Sequence, residues 1–167
     1  MRFGHLLSRR LGVVLVAAVV GLGVAACVPP PPPPPAAASA PTPALDAVLQ
    51  AMNHDRAANG LPALGWNAQL GNLAADWSNH MAQTGQMAHR DLSAVLASSA
   101  YAGFRTLGEN LLQGSGPMSA AQMEATWMNS APHRANILSS GFNVAGIGIA
   151  YGANGSLWVT VDFGGTR

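Results

Sequence analysis

The residues of this chain that could do chemistry lie in two short stretches. The first is Gly108-Glu109-Asn110, and the second runs from Trp127 to Leu138 and contains Ser130, His133 and Arg134. Only 9% of the residues are charged, so a carboxylate, an imidazole and a guanidinium in neighbouring motifs need a specific explanation. A carboxylate and a neutral imidazole that face each other can share a proton or a divalent cation, because burial and pairing shift both pKa values toward neutrality.

Each of these residues also has a structural interpretation. Glu109 could join loops by accepting backbone N–H bonds, as buried carboxylates often do. His133 and Arg134 could fix their own turn by pairing with Glu109 or with a terminal carbonyl. Ser130 precedes Ala131-Pro132, a position typical of a helix N-cap, and nothing fixes a base beside it that would make it a nucleophile.

Residues 1–26 have the layout of an export signal peptide. Three arginines precede an apolar run over residues 11–24, and the run ends in small residues. A run of this length approaches the roughly 18 residues of a membrane span, but its glycines and its small-residue end favour a leader. Cys27, the only cysteine, follows directly, and Val24-Ala25-Ala26-Cys27 resembles the lipobox at which bacterial lipoproteins are cleaved and acylated. We therefore expect acylation of Cys27, with palmitate as a typical chain.

Residues 27–43 are predicted to be the acylated cysteine and a proline-rich linker. Pro29–Pro35 is an unbroken proline run, which favours an extended polyproline II spacer at about 3.1 Å per residue. A proline ligand that recruits an adaptor is the alternative, but the position directly after an anchor favours a stalk. We therefore expect an exported protein, attached to the cell membrane through lipid on Cys27, whose domain is extracytoplasmic.

The charge balance after removal of the leader excludes one class of partner. Five arginines then stand against seven acidic residues, and the chain has no lysine. No basic footprint for nucleic acid remains, so we expect no nucleic-acid partner. No second cysteine is available for a disulfide, so the domain must fold by core packing alone.

Residues 44–167 are long enough for one domain with one core. Helices are predicted to begin at Thr42-Pro43, Asn67, Asp91 and Ser119, the last with a capping box to Gln122. Apolar residues then alternate on both sides of Gly152–Gly155, which predicts a terminal β-hairpin. Helices followed by a hairpin indicate an α+β domain in which helices cover an antiparallel sheet.

Taken together, the motifs of residues 45–164 resemble the bacterial branch of the CAP superfamily. In chain order they are Asn53-x-x-Arg56, Gly60-Leu61-Pro62-x-Leu64-x-Trp66, His89, Gly108-Glu109-Asn110, the Trp127–Leu138 stretch and Gly146-x-Gly148. This superfamily comprises cysteine-rich secretory proteins, insect venom antigens and plant pathogenesis-related proteins. The resemblance implies a three-layer α-β-α sandwich with a central antiparallel sheet, and we expect a monomer.

The resemblance also implies a shallow cleft with two histidines and two acidic residues, which binds zinc in some members. His89 matches the first histidine, although it could also cap the short third helix, and Glu109 matches the first acid. Ser130 replaces the second acid and Gly141 replaces the second histidine, so the set is incomplete and His133 becomes the other candidate imidazole.

The site expected from this match has a core and a supporting shell. The candidate catalytic and metal residues are His89, Glu109 and His133, and the supporting cleft residues are Asn110, Ser130 and Arg134. No cofactor is required, and Zn²⁺ or another divalent cation is the candidate ligand; zinc normally takes three or four protein ligands.

Two function classes remain open. The first is a non-enzymatic binding module whose cleft takes a lipid, an envelope polymer or a protein partner. The alternative is a metal-assisted hydrolase or peptidase in which His89, Glu109 and His133 hold a metal or polarise water. The incomplete cleft and the lack of a nucleophile beside a base favour the binding module.

Overall fold

The computed structural model describes Met1 and residues 40–167. The predicted leader, Cys27 and most of the proline-rich linker lie outside the described residues. The helices are α1 Pro43–Ala58, α2 Ala68–Thr84, α3 Leu92–Ala97, α4 Ala120–Met128 and α5 Ala131–Ile137. The strands are β1 Gly65–Trp66, β2 Phe104–Gly114, β3 Val144–Tyr151 and β4 Leu157–Thr166. Within the described part, no helix has the length and apolar character needed to cross a bilayer.

The four strands form one sheet in the order β1-β3-β4-β2. The predicted hairpin is confirmed, because β3 and β4 pair antiparallel from Val144↔Gly164 to Tyr151↔Leu157. Strand β2 pairs antiparallel with the other side of β4, and the two-residue β1 lies parallel to β3. The three long strands therefore form the expected antiparallel centre, with β2 at one edge.

Helices cover both faces of this sheet. Along β4, Val161 and its alternate neighbours join a core cluster with Met52 of α1 and Trp127 of α4. Trp158 points to the other face and packs with Met81 of α2. This alternation of side chains across a strand produces the three-layer α-β-α sandwich that the family resemblance implied.

Helix α2 lies very close to β3. A Cβ atom at Gly146 or Gly148 would overlap backbone atoms of α2, so only glycine allows this approach. The buried Ser78 hydroxyl of α2 also donates to the Gly148 carbonyl at 3.0 Å. The Gly146-x-Gly148 motif therefore fixes how closely the helix layer meets the sheet.

Most of the predicted helix caps are confirmed. The Asn67 side chain accepts from Leu70 N, the Asp91 side chain accepts from Ser93 N and Ala94 N, and Ser119 forms the capping box with Gln122. Thr42 and Ser130 occupy N-cap positions without a side-chain cap bond, and proline follows each at the start of the helix. Asp91, not His89, is therefore the cap of α3.

Arg56 explains the Asn53-x-x-Arg56 motif. Its guanidinium is fully buried and donates to the carbonyls of Pro62, Ile137, Ser139 and Phe142 at 2.7 to 3.2 Å. One side chain thus joins the loop after α1 to the loop after α5. Because α5 carries His133, this contact helps to place one wall of the cleft.

Candidate functional site

A cleft opens at the β2 edge of the sheet, between the segment before α3 and helix α5. It has a volume of about 330 Å³ and is lined by His89, Arg90, Leu92, Glu109, Pro132, His133 and Asn136. The structure thus brings together His89, Glu109 and His133, the three principal candidates. Asn110 lies fully buried beside the cleft, whereas Arg134 is exposed and neither it nor Ser130 lines the cleft.

The Glu109 carboxylate is bound on both oxygens. Its Oε1 accepts from His89 Nδ1 at 2.8 Å and from Arg90 N at 3.3 Å, and its Oε2 accepts from Arg90 Nε at 2.7 Å. Only 2% of the side chain is exposed. Arg90, rather than His133 or Arg134, is therefore the cation that pairs with Glu109. These three hydrogen bonds take up most of the acceptor sites of the carboxylate.

The bond to Glu109 orients the imidazole of His89. The side chain of His89 is 62% exposed, and with the proton on Nδ1 it donates to the buried carboxylate. This tautomer leaves Nε2 as the nitrogen with a lone pair. A carboxylate behind a histidine commonly fixes ring orientation and tautomer in this manner. The role of Glu109 in the cleft is therefore to orient the ring of His89.

Two residues that complete this network, Arg90 and Asp162, were not among the candidates from the sequence. Asp162 lies directly opposite Glu109 in the β2–β4 ladder, and its Oδ2 accepts from Arg90 Nη2 at 2.9 Å. Asp162 is 1% exposed, and 8% of the Arg90 side chain is exposed. The available signal was a lone carboxylate within the apolar alternation of β4, which requires a buried partner.

Arg90 is held from several directions in addition to the two carboxylates. Its Nη1 donates to the Leu73 carbonyl of α2 at 3.0 Å, and its guanidinium lies 5.2 Å from the ring centroid of Trp77. Trp77 in turn donates from Nε1 to the Ala88 carbonyl at 2.9 Å. These contacts attach the segment that carries His89 to helix α2.

The pKa values in this network are shifted by burial. Burial raises the pKa of Asp162 to about 7, against the opposing charge of Arg90, and the charge of Glu109 adds to the rise. The Oδ1 atom of Asp162 has no hydrogen-bond partner and is the oxygen free to carry a proton. Burial also lowers the pKa of His133, with a further contribution from the charge of His89.

Two asparagines connect helix α5 to β2. Asn110 Nδ2 donates to the His133 carbonyl at 3.0 Å, and Asn136 Nδ2 donates to the Glu109 carbonyl at 3.1 Å and to Asn110 Oδ1 at 2.8 Å. The two motifs singled out in the sequence are thus bonded to each other. Their amides hold α5 against β2 and so place His133 at the cleft, which Asn136 also lines.

The donor set of the cleft does not fit a resident zinc ion. Structural zinc sites use four protein ligands and catalytic sites use three. Here the imidazoles of His89 and His133 are the available donors, because Arg90 and His89 occupy the oxygens of Glu109. Among the described residues, no group of three or more histidine, cysteine, aspartate or glutamate side chains is placed to hold a metal ion.

A second cavity lies away from this cleft, between α1, α2, α4 and β3. This apolar groove has a volume of about 650 Å³. Its apolar lining includes Leu45, Val48, Met123, Ile147 and Ile149. Within residues 40–167 no charged side chain lines the groove, which suits an apolar ligand better than a polar one.

Comparison with known proteins agrees with the fold. An outer surface protein from Borrelia burgdorferi matches with a TM-score of 0.64 and 14% identity, over 72% of this chain and 90% of that one. An extracellular SCP-domain protein from Bacillus anthracis gives a TM-score of 0.59 and 24% identity, over 75% of this chain and 44% of that one. A cysteine-rich secretory protein from Staphylococcus aureus gives a TM-score of 0.58 and 21% identity, over 73% of this chain and 38% of that one.

These structural relatives are too distant in sequence to show more than the fold, and this chain spans less than half of the last two. A search of curated protein sequences found no significant match. The family model of the cysteine-rich secretory protein (CAP) family matches residues 49–163, which include every residue of the cleft. The chain therefore belongs to the CAP family.

Proposed function

We propose that this CAP-domain protein is an exported, lipid-anchored binding module of the bacterial envelope, and that the cleft of His89, Glu109 and His133 contacts its ligand. The observation that carries the proposal is the state of Glu109. Both of its oxygens are bound by donors from His89 and Arg90, so the only carboxylate of the cleft is committed to structure. The cleft then presents two imidazoles as recognition groups.

A metal-assisted hydrolase is the alternative use of the same cleft. It would need a carboxylate that can accept a proton from water or ligate a metal, and Glu109 could do so only after Arg90 had moved away. Removal of Arg90 would leave Glu109 and Asp162 facing each other in a buried position. The binding module requires no such rearrangement, and we therefore favour it.

The two cavities suggest which ligands suit the protein. The cleft volume of about 330 Å³ admits one polar group of a larger molecule, flanked by the apolar side chains of Leu92 and Pro132. The apolar groove provides a separate place for a hydrocarbon chain. Lipid and envelope polymer are therefore both suitable ligands, and a protein partner remains the third class to test.

The binding proposal is tested with isolated envelope components and with full chains that all carry Cys27→Ser, because lipid on Cys27 would itself hold the protein on vesicles. Co-sedimentation with peptidoglycan sacculi and with vesicles of bacterial phospholipid measures binding to a polymer and to a lipid surface. We expect retention on one of them to fall at least tenfold when His89 and His133 are both changed to alanine. His54→Ala is the matched control, because this imidazole is 83% exposed on α1 and lies outside the cleft.

Two results would contradict the proposal. Equal retention of the double variant and of the chain with both histidines would show that the cleft does not bind the retained ligand. Hydrolysis of sacculi or of a casein substrate that depends on a divalent metal, and that is lost in His89→Ala, would favour the hydrolase instead.

The anchor is tested separately from the cleft. Mass spectrometry of the membrane-extracted protein should show an acylated Cys27 at its N-terminus. Cys27→Ser should move the protein from the membrane fraction to a soluble or unprocessed form. Detection of unmodified Cys27 in a chain that retains residues 1–26 would contradict the lipoprotein proposal.

A further inference from the structure

Glu124 of helix α4 is a buried acid that the cleft does not use. The residue is 5% exposed, and neither carboxyl oxygen accepts a hydrogen bond; the partner within reach of a protonated Glu124 is the Asp55 carboxylate. An isolated charge in such a position is strongly unfavourable, and a buried acid usually becomes neutral instead. The position of this side chain therefore requires an explanation from its neighbours.

The neighbours on helix α1 supply no compensating cation. Glu124 adjoins a cavity of about 400 Å³ whose other lining residues are Ala51, His54, Asp55, Ala121 and Ala125. Asp55 brings a second carboxylate to this interface, and His54 Nδ1 lies 3.4 Å from Asp55 while its ring is largely in solvent. Arg56, the next residue on α1, directs its guanidinium to the backbone carbonyls of other loops.

We propose that Glu124 and Asp55 form a proton-dependent latch between α4 and α1. With Glu124 neutral, its carboxyl group packs against α1 beside the Asp55 carboxylate. Ionisation of Glu124 would place two negative charges at one buried interface, and α4 would then loosen from α1. The latch uses none of the cleft residues, so it does not depend on the proposed function.

The titration expected for Glu124 supports this geometry. Burial raises the pKa of Glu124 to about 8, and the nearby Asp55 adds to the rise. Val48 of α1 and Met123 of α4, on the other side of the helix contact, line the apolar groove. The latch therefore lies where a change in helix packing would alter the width of that groove.

The sign of the stability effect follows from the raised pKa. Between about pH 4.5 and pH 8 the folded protein keeps a proton on Glu124 that the unfolded chain has released. The stability contribution of this proton is complete below that range and is lost progressively as the pH rises through it. Above about pH 8 the folded state itself ionises, so the loss is complete there and α4 is held least tightly.

Hydrogen exchange of the full chain across neutral to alkaline pH tests the latch. Glu124→Gln preserves the shape and polarity of the side chain but cannot ionise, so it calibrates the ordinary base-catalysed increase in exchange. We expect the amides of α4 to exchange faster in the wild type than in Glu124→Gln, with an excess that grows to several-fold as the pH rises toward about 8 and levels off above it. The control Asp76→Asn, an exposed acid on α2, should behave as the wild type.

A second variant keeps the proposal testable if Glu124→Gln does not fold. Asp55→Asn removes the neighbouring charge, so exchange at α4 should accelerate less with rising pH than in the wild type. Identical exchange of wild type and Glu124→Gln over the whole range would overturn the latch. A pH-dependent acceleration at α4 that Asp55→Asn leaves unchanged would overturn the pairing of the two carboxyl groups.

Discussion

Glu109 and Asp162 lie opposite each other in the β2–β4 ladder, and the guanidinium of Arg90 binds both carboxylates. Like charges directly opposite in an antiparallel pair destabilise a sheet. Arg90 is therefore what allows both acids to be buried there. Because His89 directly precedes Arg90, the same contact that stabilises the sheet also delivers the exposed imidazole to the cleft.

Replacement of Arg90 by methionine should destabilise the protein strongly. The change leaves two buried carboxylates without their cation, and breaking a buried ion pair from one side costs about 3–5 kcal/mol. The free energy of unfolding in urea measures the effect. Arg105→Met, which removes an exposed arginine from the same strand β2, is the matched control and should cost less than about 1 kcal/mol. A similar small loss for Arg90→Met would show that Arg90 is not the required counter-charge.

Asp162 should make stability depend on pH in the acid-to-neutral range. Its folded pKa of about 7 lies above the ordinary value of 3.8, so the folded state retains a proton that the unfolded state releases. The stability contributed by that proton is complete at the acid end of this interval and is lost as the pH rises to about 7. Asp162→Asn still offers an oxygen to Arg90 but cannot titrate.

The measurement for Asp162 is the free energy of unfolding at several pH values between about 4 and 7. Relative to the wild type, Asp162→Asn should gain stability steadily with rising pH. The control Asp76→Asn should run parallel to the wild type. Parallel curves for Asp162→Asn and the wild type would mean that the folded state holds no extra proton at Asp162.

Zinc should bind the cleft weakly. Two imidazoles provide fewer ligands than zinc sites normally use, and Glu109 is held by Arg90. Calorimetric titration of the full chain near neutral pH should give binding weaker than micromolar, and His89→Ala or His133→Ala should abolish what remains. Micromolar or tighter binding that His89→Ala removes would show that a third ligand is recruited, and would revive the hydrolase alternative.

Gly148→Ala should separate helix α2 from the sheet. The added methyl group would overlap the backbone of Ala74 and Ala75, which cannot rotate away as a side chain could. We expect a loss above about 3 kcal/mol, comparable with the severe overpacking of a core. Thermal and urea unfolding measure it. Gly103→Ala is the control, because open space surrounds a Cβ at that position. A small loss of stability at both sites would contradict the close approach of α2 to β3.

Much of the scaffold followed from local patterns in the sequence. The alternation before and after Gly152–Gly155 predicted β3 and β4, and the cap residues Asn67, Asp91 and Ser119 predicted where three helices begin. These signals are local, because strand period and helix capping depend on residues within a few positions of each other. In the structure, the segments around Glu109 and His133 line one cleft.

The charge partners inside the fold were decided by tertiary structure alone. Arg90 and Asp162 are separated by 72 positions, and they meet because β2–β4 register places Asp162 opposite Glu109. In the same way, the packing of α4 on α1 brings Glu124 to Asp55. By itself the sequence determined where the capped helices begin and where the terminal hairpin lies. Only the folded chain decided which distant group compensates each buried charge, because that depends on register and packing between elements rather than on neighbours along the chain.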